Sequence, residues 1–220
     1  MNKSKLMGCL LVLVMAMSAS SICLAEMQGD VDQAVAILQR FQEIPEKSIP
    51  PAVLKGAKGL ALLTITKAGF IVSARGGTGV VVARTGKGWS GPSAIGTGGA
   101  GFGFQIGAQV SELVIVLNTP DAVRAFSQGG NVSLGADLSV TAGPVGRNVA
   151  AGVLPTAAVY TYSRSQGLFA GVSLEGTILV SRDDTNREYY GRSITPSEIL
   201  SGKAKVPKGA QGLLKALSRF

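Results

Sequence analysis

The sequence predicts an α+β domain: an antiparallel, barrel-like or half-barrel β-sheet with helices flanking it at the N- and C-terminal ends. Three observations point there. Thirty glycines, set among many Val, Ala, Ser and Thr, suit strands joined by tight turns better than a helical bundle. Helical spacing dominates near the two ends, while the interval 60–182 carries strand-like periodicity. The alternating glycines from Gly96 to Gly107 mark strongly bent or closely packed strands. With 220 residues the chain is long enough for one domain to bury a core unaided by disulfides or metals.

The elements follow in order. Residues 1–25 have the layout of a cleaved secretory signal peptide: Lys3 and Lys5, an apolar run from Leu6 to Met17, and small residues ending at Ala25. The apolar run is short for a transmembrane span. Residues 26–220 are then one domain. Its first helix is expected over 30–43, where Val31, Ala34, Val35, Leu38 and Phe41 form a stripe and Asp30 caps. Pro45, Pro50 and Pro51 break the chain, and Pro51 to Ala57 reads as a short second helix.

Strands are expected at Leu60–Thr66 and Gly69–Ala74, on either side of Lys67-Ala68, and at Val80–Arg84 after a Gly76–Gly79 turn. Gly101–Ala108, Glu112–Leu117, Val132–Ala142, Ala157–Ser163 and Leu168–Arg182 continue the pattern. Thr119-Pro120 and Thr195-Pro196 each place a capping hydroxyl before a first-turn proline, opening short helices, and Lys208–Phe220 forms the last helix. The C-terminal helical segment thus spans 195–220.

Composition limits the chemistry. The sequence has no histidine, and both its cysteines, Cys9 and Cys23, fall within residues 1–25. That excludes Ser-His-Asp and Cys-His catalysis and thiolate or imidazole zinc sites in the remainder. Asp137 and Glu175 are conceivable as an acid/base pair, but each reads better as an acceptor holding a turn. Asp183-Asp184-Thr185-Asn186 lacks the spacing of a calcium loop and reads as a helix-capping turn. Gly96-Thr97-Gly98-Gly99-Ala100-Gly101 satisfies G-x-G-x-x-G but runs on into strand, so packing glycines account for it. No enzyme activity and no cofactor are expected.

Charge points to a partner instead. The whole sequence carries +8; without residues 1–25 it has 19 basic and 13 acidic residues, a net charge of +6. Such a protein is drawn to anionic surfaces. Two candidate sets supply the charge. Lys55, Lys58, Lys67, Arg75, Arg84 and Lys87 gather around the first strands beside Trp89, either as a headgroup anchor or as solvated strand ends near a corner tryptophan. Lys203, Lys205, Lys208, Lys215 and Arg219 lie in a stretch without acids. There Leu213, Leu214, Leu217 and Phe220 fall on one helix face, to meet a membrane or to dock on the sheet.

A series of ordered motifs resembles one family. Ala57-Lys58-Gly59-Leu60-Ala61, Thr66-Lys67-Ala68-Gly69-Phe70, Trp89-Ser90-Gly91-Pro92-Ser93-Ala94-Ile95, Gly143-Pro144-Val145-Gly146-Arg147-Asn148 and Gly167-Leu168-Phe169-Ala170-Gly171-Val172-Ser173-Leu174-Glu175-Gly176 are similar to the SYLF domain, also called the yeast-type actin-binding domain. The resemblance covers Ile44 to Ser201 and implies a domain that binds membrane lipid. Eukaryotic relatives bind phosphoinositides through a basic N-terminal helix, and some fungal relatives bind actin. Here that helix carries Asp30, Asp32 and Gln33, with Arg40 its lone base. The expectation is a non-catalytic, exported, periplasmic protein that binds an anionic phospholipid surface. An envelope protein is the alternative partner; nucleic acid is not expected, and actin is unlikely for an exported chain.

Overall fold

The computed structural model describes residues 26–43, 48–144, 157–167 and 177–220. The proposed signal peptide, Arg147 and Glu175 lie outside them, as does most of the Gly167–Gly176 motif.

Helix α1 (26–43) starts one turn earlier than its apolar stripe predicted, because Met27 continues the stripe. Met27, Val31, Ala34, Ile37, Leu38 and Phe41 are all buried. Asp30 therefore sits inside the helix and does not cap it. Helix α2 (Pro51–Gly56) begins on proline and buries Val53 and Leu54.

The core of the fold is one long hairpin. Strand β1 (Gly59–Thr85) is continuous through Lys67-Ala68 and through Gly76–Gly79, where turns were expected. After β2 (Gly88–Trp89) comes β3 (Ser93–Leu117), likewise continuous. β1 pairs with β3 antiparallel from Gly59↔Leu117 to Val81↔Ser93, with one irregularity between Phe70 and Val72. A straight strand of 27 residues would reach about 90 Å, far beyond a domain of this size. β1 instead doubles back near that irregularity. The Arg84 amide donates to the Lys58 carbonyl at 2.8 Å. A methyl group on Gly77 would collide with the Thr64 carbonyl, and one on Gly79 with the Leu62 carbonyl and the Leu63 backbone. The glycines thus permit a close backbone approach and are not turn formers.

Helix α3 (Pro120–Ser127) starts at Thr119, whose Oγ1 accepts from the Ala122 amide at 3.1 Å. β4 (Asn131–Ser133) and β5 (Val140–Ala142) replace the single strand expected over Val132–Ala142. The break is a tight turn in which Asp137 Oδ2 accepts from the Ser133 amide at 2.7 Å, with Gly135 at φ +97°. β6 (Val159–Gly167) and β7 (Ile178–Ser181) follow. Helix α4 (Asp183–Tyr190) uses the oxygen-rich Asp183–Asn186 stretch as its first turn, and Gly191 closes it in the left-handed region. Helix α5 (Pro196–Leu200) is capped by Thr195 as predicted. A 3₁₀ turn (Lys208–Ala210) leads into α6 (Gln211–Leu217).

Among the described residues seven strands form one sheet. The far edge of β3 carries β6 along Gln109–Leu117 and β7 along Ile95–Thr97, with β4 beyond β7. All pairs are antiparallel except β5 with β6. The result is the expected α+β class, a curled half-barrel with helices at both terminal regions.

Alternation along the strands feeds two cores. Leu60, Leu62, Val80, Val82, Val114 and Val116 face α1 and the buried Leu213 and Leu217 of α6. Ala61, Leu63, Val81, Leu113 and Ile115 face Ala122 and Phe126 of α3 and Leu200 of α5. The leucines of α6 therefore dock on the sheet, which is the second of the two readings of that segment.

Candidate functional site: a basic end

Two polar latches hold α1 on the sheet. Near its start, Asp30 accepts from Thr78 Oγ1 at 2.6 Å and pairs with Arg182 Nη1 at 2.9 Å; Arg182 also reaches Glu26 at 2.5 Å. Burial pushes the Asp30 carboxyl above its usual range, and Thr78 and Arg182 pull it partly back. Near its end, Arg40 Nε donates to Glu112 Oε2 at 2.9 Å and Gln33 donates to Oε1 at 3.3 Å. Arg164, opposite Glu112 on β6, donates to the Arg40 carbonyl at 3.1 Å and pairs with Glu43 at 3.3 Å. These charges are spent on holding the fold.

Several of the charges left over gather at the end of β1. Arg84 Nε donates to the Ala57 carbonyl at 3.1 Å and Nη2 to the Leu54 carbonyl at 3.2 Å, so it closes the C-terminal end of α2 beside Lys55. Its guanidinium lies 4.3 Å from the Trp89 ring centroid. Trp89 Nε1 donates to the Leu217 carbonyl at 3.2 Å, at the end of α6, between Lys215 and Arg219 in the chain. Gly86-Lys87 form the tip linking β1 to β2. Gly202 packs on Thr85, close enough that a methyl there would lie 3.0 Å from its Cγ2, and this brings Lys203 to the same end.

The two candidate sets, far apart in sequence, are thus partly one surface. Lys55, Lys58, Lys87, Lys203, Lys215 and Arg219 are exposed, and Arg84 and Trp89 are half-buried between them. Among the described residues, no ion pair engages any of those six exposed cations; the pairs found use Arg40, Arg124, Arg164, Arg182, Arg187 and Arg192. Lys205 and Lys208 are also exposed but approach the other end of α6, where the Gly209 carbonyl accepts from Gln28 at 3.2 Å. Lys67 and Arg75 lie at the bent end of the hairpin, the first opposite Gln109 and the second opposite Gly99, apart from the basic end. Sequence spacing missed the convergence because it depends on β1 folding back and on α6 crossing to Trp89. Arg84 and Trp89, set on either side of the Gly86-Lys87-Gly88 turn, were its one legible trace.

Of the conceivable carboxylates, Asp137 closes its turn, and among the described residues no cluster of three acidic, Cys or His side chains could hold a metal. An open groove of about 440 Å³ lies between the last turns of α1 and the chain end, lined by Leu38, Gln42, Glu43, Ala216, Arg219 and Phe220 among others.

A curled half-barrel braced by helices, with exposed cations gathered at one end, defines an α+β domain with a basic surface. Comparison with known proteins gives it a family. Residues 98–220 match the family model described as Ysc84, Las17-binding protein actin regulator. The chain is 49% identical over 204 residues to the human SH3 domain-containing YSC84-like protein 1, covering 89% of this chain and 60% of the relative. It is 49% identical over 201 residues to Protein YSC84 of Saccharomyces cerevisiae, 87% of this chain and 43% of that protein. With LAS seventeen-binding protein 3 of the same yeast, identity is 48% over 177 residues, 78% of this chain and 39% of that protein.

The chain belongs to the Ysc84 family, whose shared module is the SYLF domain. It spans at most about three-fifths of these relatives' length. One expectation is corrected here. Against the expectation that actin is not a partner of an exported chain, the family description as a Las17-binding protein actin regulator, with a relative named LAS seventeen-binding protein 3, points to actin-cytoskeleton partners.

Proposed function

We propose that this domain is a non-catalytic docking module whose basic end settles on an anionic phospholipid surface, as an exported protein of the cell envelope. The observation that carries the reading is the set of exposed cations around the β1–β2 turn and the end of α6, none of which forms an ion pair among the described residues. Each Lys or Arg near an anionic bilayer contributes about 1 kcal/mol, falling off within a Debye length. Four such lysines therefore support useful affinity without any inserted helix.

The test is co-sedimentation with phosphatidylglycerol vesicles across a salt series, comparing the chain with a variant carrying Gln at Lys55, Lys58, Lys87 and Lys203. Binding that fades with salt and weakens several hundredfold, on the order of 4 kcal/mol, in the variant supports the reading. Equal binding by both proteins, or none by either, refutes it.

The family description favours a second reading, in which the same end docks on a protein of the actin machinery. A parallel co-sedimentation with actin filaments separates the two. Capture by filaments but not by vesicles, lost in the same variant, would move the module from the envelope to the cytoskeleton.

A further inference from the structure

Arg84 and Trp89 stand at the centre of the basic end, yet their polar groups are turned inward. Arg84 is committed to the Leu54 and Ala57 carbonyls, at 3.2 and 3.1 Å, and Trp89 gives its one donor to Leu217 at 3.2 Å. The three acceptors sit at the C-terminal ends of α2 and α6, where carbonyls lack intrahelical partners and the helix dipole favours a cation. The stacked guanidinium and indole, 4.3 Å apart, join the two helix ends into one unit.

We propose that Arg84 and Trp89 are a positioning pair: a lock that fixes the ends of α2 and α6, so that Lys55, Lys58, Lys87, Lys215 and Arg219 present one surface, while neither member touches the partner. The part concerning docking rests on the lipid-surface reading above; the lock itself rests on the four contacts. The choice of residue types fits the role. A planar guanidinium reaches two carbonyls and stacks on a ring at once, whereas a lysine keeps the charge and can do only one of these. Indole likewise offers a broad face and a single directional donor.

Trp89 is the only tryptophan in the sequence, so its emission reports on the lock alone. The experiment compares the full chain with Arg84→Lys, Arg84→Gln and Trp89→Phe by amide exchange, acrylamide quenching and binding to phosphatidylglycerol vesicles. In Arg84→Lys, exchange at residues 53–57 and 214–220 should quicken roughly tenfold, with α3 and α4 unchanged, and Trp89 should become easier to quench. Trp89→Phe should quicken 214–220 alone. Arg84→Lys should lose vesicle affinity as fully as Arg84→Gln although its charge is intact. On the wild-type protein, vesicles with brominated acyl chains should leave Trp89 emission unchanged.

Unaltered exchange at both helix ends in Arg84→Lys overturns the lock whatever the vesicles do. Quenching of Trp89 by brominated chains overturns it as well, by making the indole a contact residue, and so does wild-type vesicle affinity in Arg84→Lys. A wild-type chain that ignores vesicles sinks the lipid reading, and the exchange data still decide the lock.

Discussion

Asp30 shows how a residue's role changes between chain and fold. In sequence it stands where a helix cap would; in the structure it is an interior carboxylate facing Arg182 on the β7–α4 junction, Thr78 on β1 and Glu26 on its own helix. Its carboxyl is raised, with burial the largest cause. The native state therefore holds the Asp30 proton at a pH where the unfolded chain has released it. Stability from this group then grows as pH falls through the raised value toward the ordinary carboxylate range, the reverse of the usual carboxylate contribution. Thermal unfolding of the chain and of Asp30→Asn from pH 7 down to pH 4 checks this. The wild-type melting temperature should gain on the variant as the pH drops, and a wild type that loses ground would contradict the direction.

At the scale of elements, the legible features were those set by local chemistry. Thr119 and Thr195 cap their helices, prolines open α2, α3 and α5, and the stripe of α1 is buried as its spacing implied, except that Val35 is only half-buried. The turn expected at Gly76–Gly79 reads glycine as a sign of chain reversal, and β1 instead continues through it. Here Gly77 and Gly79 mark a close backbone approach in a strand that doubles back on itself, a tertiary event without local signature. Replacing Gly79 by Ala should therefore act as overpacking against backbone that cannot yield, costing roughly 3 kcal/mol or more in urea unfolding. Ala at Gly76, where a side chain meets open space, should cost less than about 1 kcal/mol. Equal effects at both positions would argue against the doubled strand.

For the whole molecule, the fold class was readable from periodicity and glycine content, and the SYLF resemblance anticipated the family that the comparisons establish. The candidate site was readable only as a list. Composition announced surplus cations, but which of them remain free depends on where the acids are spent. Glu112, Asp30, Glu26 and Glu43 are consumed by Arg40, Arg182 and Arg164 in seating α1 on the sheet. What separates Lys58 from Lys67, nine positions apart, is the length of β1: one residue precedes its start and the other approaches its bend. The partner was the least legible of all, since charge states the sign of a surface and not the identity of what it meets.

The doubled hairpin also sets an order of events in time. The pair Val81↔Ser93 is separated by a short loop, whereas Gly59↔Leu117 encloses the whole of β1 and β3. Loop-closure entropy makes the first pairing cheap and the last dear, so the ribbon should zip from the β2 end toward Leu117. Val80 then belongs to the early nucleus and Leu60 to the late closure, although both are fully buried. In a chevron analysis, Val80→Ala should chiefly slow refolding and Leu60→Ala should chiefly hasten unfolding. The same end of the ribbon that carries the basic surface would thus be the first part of the molecule to exist.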